Sequence, residues 1–259
     1  MTTTLNTPRQ KAIAAGVLSL LLGLPVYSAT FTLNPSMDAF VTTGPSDTLS
    51  GNNYGGAGAL DVAALGLAKG EFQSVLQFDL SGARASFDTQ FGAGQWNIQS
   101  ITLSLTPTSP NNAIFNSSAA GQFGVSWMQD DSWTEGTGTP AAPTATGITF
   151  FSLPSFISTG DESLGTFSFG GGTSGTAPYP LSLTPGFLSD ASAGNLVSFR
   201  LFAADNAVSY LSDSRNFGTA SARPLLTIVA IPEPAALPLL AVGAGLLFGA
   251  GLYRRKRQE

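Results

Sequence analysis

Apolar residues recur at every second position through most of the middle of this chain, in short runs broken by turn formers. Leu76, Phe78 and Leu80 alternate with Gln77 and Asp79, and Ile101, Leu103 and Leu105 alternate with Thr102, Ser104 and Thr106. Phe123, Val125 and Trp127 repeat the pattern, as do Phe167 and Phe169, Leu181 and Leu183, and Val197, Phe199 and Leu201. A last run lies near 225–229. A period of two places such residues on one face of a strand, and clusters such as Gly51-Asn52-Asn53 and Gly170-Gly171-Gly172 separate the strands. Within 31–230 no segment sustains a helical period for three turns; 187–192, behind Pro185 and Gly186, offers a single turn. Many short strands with one apolar face must bury it against a second sheet. The expected fold is therefore all-β, an antiparallel β-sandwich of jelly-roll type. Residues 136–147, rich in Gly, Thr and Pro, are long for a hairpin loop and are expected to form a mobile connection.

Such a core needs large side chains, and eighteen Phe, five Tyr and three Trp supply them although few residues are charged. With no Cys in the chain, no disulfide supports the fold. With no His, the commonest general base and the commonest transition-metal ligand are missing. Residues 30–230 hold five basic side chains against fourteen acidic ones, a net charge of −9. Nucleic acid, whose binding relies on Lys and Arg at phosphates, is excluded as a partner.

Both ends depart from the strand pattern. Arg9 and Lys11 precede a thirteen-residue apolar run at 12–24, which Pro25 breaks before Val26-Tyr27-Ser28-Ala29. These are the three parts of an export signal, and cleavage between Ser28 and Ala29 sets small residues at both selected positions. The expected signal peptide is 1–28 and the expected body 29–230. At the other end, Ile231-Pro232-Glu233-Pro234 leads into nineteen mostly apolar residues at 235–253 and then Arg254, Arg255, Lys256 and Arg257. As a helix that run would reach about 28 Å, close to one hydrocarbon core. The basic cluster would stay in the cytoplasm with the body on the far side of the membrane.

That tail, 231–259, resembles the PEP-CTERM sorting signal of Gram-negative bacteria, which combines the Pro-Glu-Pro motif, a single apolar span and a terminal basic cluster. The resemblance implies a precursor held in the inner membrane by one helix. Signal peptidase and an exosortase would process it, the exosortase cutting near Pro232, Glu233 and Pro234, and the product would reach the cell surface or extracellular matrix.

The body is similar to the DNRLRE domain family, related to a class of carbohydrate-binding modules. The likeness runs through Asp38-Ala39-Phe40-Val41, Asn53-Tyr54-Gly55, Leu60-Asp61-Val62 and the strand from Ser74 to Leu80. It continues at 101–105, at Asp131-Ser132-Trp133-Thr134-Glu135-Gly136 and at Arg223-Pro224-Leu225-Leu226. Two departures are plain: no second Trp follows the Trp-x-Glu element soon after, and 136–176 is expanded.

Asp130, Asp131 and Glu135 form the densest acidic group, beside Trp127 and Trp133. Two carboxylates facing one bond across a cleft would suit glycoside cleavage; a solvated acidic turn is the plainer reading. No Gly-x-Ser-x-Gly elbow is present and no Gly-Lys-Ser/Thr phosphate loop, so no enzyme activity is expected. Trp133, set among polar residues, is the candidate for stacking on sugar rings, with Tyr54 and Glu135 as companions. Trp127 alternates with Phe123 and Val125 and belongs to the core. Asp38, Asn52, Asn53 and Asp61 fall near the first strands and, if they converge, would hold a structural calcium ion, the one cofactor these residue types suggest. The reading that follows is a non-catalytic surface or matrix protein that binds or organises exopolysaccharide. Its rivals are a secreted polysaccharide-cleaving enzyme using Asp130, Asp131 or Glu135, and a purely structural coat protein.

Overall fold

The computed structural model describes residues 27–233. Most of the expected export signal lies outside that range, as do Pro234, the apolar run at 235–253 and Arg254, Arg255, Lys256 and Arg257. Among the described residues no helix is long and apolar enough to cross a membrane.

Eleven strands carry the described fold: β1 (Ala29–Leu33), β2 (Met37–Thr42), β3 (Ala59–Ala63), β4 (Phe72–Asp79), β5 (Trp96–Leu105), β6 (Gly121–Met128), β7 (Glu162–Phe169), β8 (Ala177–Leu181), β9 (Leu196–Ala203), β10 (Ser209–Asp213) and β11 (Leu225–Pro232). They form two antiparallel sheets. One has the order β1-β11-β5-β8; the other runs β10-β3-β4-β9-β6-β7, with β2 also paired to β4. The first and last strands are neighbours, Ala29 opposite Ala230, so the chain closes on itself where the body was expected to begin and end. β11 continues to Pro232, which lies opposite Trp96, and the Glu233 N–H donates to the Gln95 carbonyl at 2.9 Å.

The alternating residues of the sequence meet between the sheets. Leu76 and Phe78 of β4, Phe123 and Val125 of β6, and Ile101 and Leu103 of β5 share one core. Aromatic rings fill its far end: Phe169 stacks on Tyr210 at 4.1 Å, and Tyr179 donates its hydroxyl to that of Tyr210 at 3.1 Å. A buried phenol keeps a hydrogen bond in this way.

Two helices cap the sheets, one of them against expectation. α1 (Ser81–Phe91) makes three turns, although only Ala83 and Phe87 along it are buried. A buried (i, i+4) apolar pair, with Arg84, Ala85 and Ser86 between, leaves almost no periodic signal. Its anchor is aromatic, Phe87 packing on Phe31 and Trp96. α2 (Pro185–Ala193) is longer than the single turn expected. It starts at Pro185, buries Phe187 and Ala191, and ends on Gly194 in the left-handed conformation at φ 71°.

β4 is buried on both faces. Residues 73, 75 and 77 point away from the other sheet, and the long connection between β6 and β7 covers Val75 and Gln77. Val75, Val41 and Met128 pack there against Trp133, Ile148 and Leu153 as a second apolar cluster. Gln77, one of the polar residues that alternate with the apolar set, is 2% exposed and donates to the Asp131 carbonyl at 2.8 Å.

Candidate functional site

Asn53 shows how the covering segment is fixed. Its Nδ2 donates to the carbonyls of Glu135 and Ile148 at 2.7 and 2.8 Å, and its Oδ1 accepts the N–H groups of Gly55 and Gly138, each at 3.1 Å. All four hydrogen bonds of one buried carboxamide are spent on backbone. Gly55 and Gly138 are required by this contact: a Cβ at Gly55 would run into the Glu135 carbonyl, and one at Gly138 into the Asn53 carbonyl. Asn53 also bridges to Thr144. The 136–147 segment is therefore pinned at both arms, contrary to the mobile connection expected.

Beside Asn53 sits an ion pair. Arg215, just beyond β10, grips Glu135 with one edge of its guanidinium, Nε to Oε1 at 2.6 Å and Nη2 to Oε2 at 2.5 Å. Glu135 Oε1 further accepts the Asp38 N–H and Asn216 Nδ2. Such two-pronged charge-assisted contacts fix geometry as well as energy. Asp38 accepts the Arg215 N–H at 2.7 Å through Oδ2, while its buried Oδ1 has no partner. Burial pushes the Asp38 carboxyl up to about 7, against the pull of that N–H, and the Glu135 charge adds to the rise.

Several expectations are corrected here. Trp133 is 1% exposed, its indole N–H donating to Ser198 Oγ at 2.9 Å and its ring covered by the second cluster. Tyr54 is equally buried, stacked on Phe40 with centroids 4.6 Å apart. Neither ring offers a face to a sugar. Glu135 is committed to Arg215 and is no free ligand group. Asp130 binds the Ser132 N–H within its own turn, and the Ser132 hydroxyl and N–H hold its pKa below the usual range. Asp131 lies half-buried, and that burial raises its carboxyl to about 6. Glu135 and Asp130 thus have separate attachments, one to Arg215 and one within its own turn.

The calcium set does not converge either. Asp61 pairs with the Lys69 ammonium at 2.6 Å, both side chains buried; Asn53 is fully used; Asn52 donates to the Tyr54 hydroxyl; Asp38 faces Arg215. Among the described residues no three acidic side chains gather as metal ligands. The four face different partners, Lys69, Arg215, Tyr54 and backbone, instead of one point, so as placed they do not form the shared oxygen cage that a calcium ion takes.

The pinned segment does build something else. Thr139, Pro140 and Ala141 line a cleft of about 300 Å³ together with residues of the 108–115 loop and with Gly58, Ala59 and Asp213. Thr108, Asn111 and Asn112 bring a hydroxyl and two carboxamides to it; Phe115 and the half-exposed Phe217 bring rings. Asp213, at the end of β10, is 3% exposed, and its Oδ1 has no hydrogen-bond partner. Burial pushes that carboxyl up to about 6, against the pull of the Thr108 hydroxyl. Sequence reasoning missed this cleft, since its residues come from four separated segments. The available signal was the expanded 136–176 region facing Asn53-Tyr54-Gly55. Compared with known protein families and with curated proteins, the chain matches none of them.

Proposed function

We propose that the protein is a non-catalytic exported module that binds polysaccharide at the cell surface or in the matrix around it. The observation that carries this reading is the cleft beneath Thr139, Pro140 and Ala141. It brings hydroxyl, carboxamide, carboxylate and aromatic groups together, the mixture that recognises a sugar's polar edge and apolar face. It holds one carboxylate rather than a facing pair, and that favours binding over glycoside cleavage. A sandwich of jelly-roll type, as in the DNRLRE likeness, suits a binding module. The export signal and the PEP-CTERM-like tail supply the address: a membrane-held precursor processed by signal peptidase and an exosortase in a Gram-negative cell.

Affinity electrophoresis of the purified full-length protein through gels containing a panel of polysaccharides tests the binding reading, alongside an assay for new reducing ends. Retardation by at least one polymer without new reducing ends is expected. Turnover lost in Glu135→Gln would favour the cleaving enzyme, and no retardation by any polymer would favour a coat protein. Intact mass of surface and medium fractions, with and without the exosortase, tests the address. Loss of 1–28 and an exosortase-dependent cut near Pro232, Glu233 and Pro234 are expected; a chain that keeps Arg254 to Arg257 in every fraction would be a plain anchored protein.

A further inference from the structure

We infer that Asp61 and Lys69 condense, once the chain has folded, into an internal amide that covalently ties β3 to the loop before β4. The inference stands on these two residues and their surroundings, apart from the polysaccharide-binding reading.

Asp61 lies between Ala59 and Ala63 on one face of β3, opposite Leu211 of β10. Those three residues belong to an apolar cluster with Phe40, Phe72 and Phe115. Lys69 reaches into it, its Nζ 2.6 Å from Asp61 Oδ2 and 4.8 Å from the centre of the Phe72 ring, with both side chains buried. The Asp61 backbone is held on both sides by Ser74 Oγ, which accepts its N–H at 3.1 Å and donates to its carbonyl at 2.8 Å. Reactive groups fixed in contact behave as though at an effective concentration on the order of 10⁵ M or more.

As a lasting ion pair the site is poorly matched. An ammonium carries three donors, yet after Asp61 the next acceptor of Lys69 Nζ is the Ser117 carbonyl at 3.5 Å. Asp61 Oδ1 is buried without a hydrogen-bond partner among the described residues. Buried charges offset their desolvation only when the remaining protons and lone pairs are satisfied. Burial holds the Asp61 carboxyl above its ordinary value, outweighing the pull of the Lys69 ammonium. The same burial favours the neutral pair, reached when one proton passes from Nζ to Oδ2. The Nζ lone pair then attacks Cγ and forms the C–N bond, the Cγ–Oδ2 bond breaks, and Oδ2 takes a second proton from Nζ and leaves as water. Both protons of that water come from the ammonium, so the step needs no oxidant, reductant or co-reactant. The amide keeps one N–H, directed at the Ser117 carbonyl, and one neutral oxygen. Two donors, one oxygen and both charges are gone from a dry site. A chain without Cys thereby gains a covalent tie that no disulfide can supply.

Mass spectrometry of a tryptic digest of the folded, then denatured, full-length protein tests this. Trypsin cuts after a free lysine but not after an acylated one. The expected product is one peptide that ends at Arg84, contains both Asp61 and Lys69, and is lighter by the mass of one water, with fragment ions placing the loss between 61 and 69. Protein recovered from inclusion bodies and kept in urea should show the full mass and cleavage after Lys69, and should lose the water on refolding. Lys69→Arg, which keeps the charge opposite Asp61 but does not form the amide, should retain the water. A refolded wild-type chain of full mass that is cut after Lys69 would overturn the inference and leave an ion pair. A water loss that is already present in urea, or that survives in Lys69→Arg, would overturn it too, because such a loss arises elsewhere in the chain.

Discussion

The two faces of β4 are both dry, but for different reasons. On the inner face, Leu76 and Phe78 meet Ile101 and Leu103 of the other sheet, and apolar contact accounts for the packing. On the outer face, Val75 lies under Trp133, Ile148 and Leu153, but the cover is fastened by polar groups: Gln77 to the Asp131 carbonyl, Trp133 to Ser198, Asn53 to four backbone groups, and Glu135 to Arg215. The inner face is a sheet-on-sheet contact that any hydrophobic residues of suitable volume can make. The outer face is an irregular segment whose backbone must be satisfied one group at a time. The pinned loop of the second arrangement contributes Thr139, Pro140 and Ala141 to the cleft.

If both faces belong to one cooperative unit, damage to either should unfold the whole. Phe78→Ala on the inner face and Trp133→Ala on the outer should each cost about 3–5 kcal/mol in urea or guanidinium unfolding, the range for removing a large buried ring. A Trp133→Ala protein that keeps its unfolding midpoint but is nicked by protease within 136–157 would instead make the outer cover a separable flap.

The polar fastenings come next in size. Asn53→Ala leaves two N–H groups and two carbonyls inside the cover without partners and should cost about 2–4 kcal/mol by the same measurement. Glu135→Gln keeps the shape but loses the charge opposite Arg215. Since a third of the Arg215 side chain is exposed to solvent screening, the expected loss is smaller, about 1–3 kcal/mol. Saccharide affinity should fall in both variants through the cleft wall, although neither residue lines the cleft. An unchanged affinity would separate clasp from cleft.

Acidity sharpens the contrast further, because the inner cluster holds no titratable carboxyl while the outer region holds Asp38. Its folded pKa, about 7, lies above the ordinary carboxyl value near 4 that it regains on unfolding. Between those values the folded state binds more protons, so stability is greatest at the acid end and falls as the pH rises through 7. Melting temperature should therefore decline from pH 5 to pH 8, and Asp38→Asn should flatten that slope. The smallest expected effect is that of EDTA: Asp61 faces Lys69, Asp38 faces Arg215 and Asn53 binds backbone, so chelation should leave the melting curve in place. A fall of several degrees would mean that an ion joins the outer face.

What could be read from the sequence divides along the same line. Every inner strand that showed alternation, from Leu76 and Phe78 to Phe199 and Leu201, lies in the core as expected, since one side chain in two is enough to mark an apolar face. β1, β2, β3 and β10 gave weaker signals; β2 and β3 carry Asp38 and Asp61, whose burial depends on partners many residues away. α1 escaped because one Ala and one Phe secure it. Trp133 misled because its sequence neighbours are polar, yet its N–H finds Ser198 across 65 residues and its ring finds Ile148. Asn53-Tyr54-Gly55, noticed first as part of a family likeness, turned out to be the pin of the outer cover. Asp213 gave no signal at all, for an acidic residue at a strand end looks solvated until the fold closes over it.

Amide hydrogen exchange tests the central claim most directly, comparing the N–H groups of Gly138 and Ile148 in the outer cover with those of Leu76 and Phe78 in β4. Gly138 donates to Asn53 and Ile148 to the Thr134 carbonyl. They should exchange as slowly as the β4 amides, by whole-molecule opening. Exchange of Gly138 and Ile148 at the rate of an open loop, while Leu76 and Phe78 stay protected, would contradict the pinned cover and the cleft it builds.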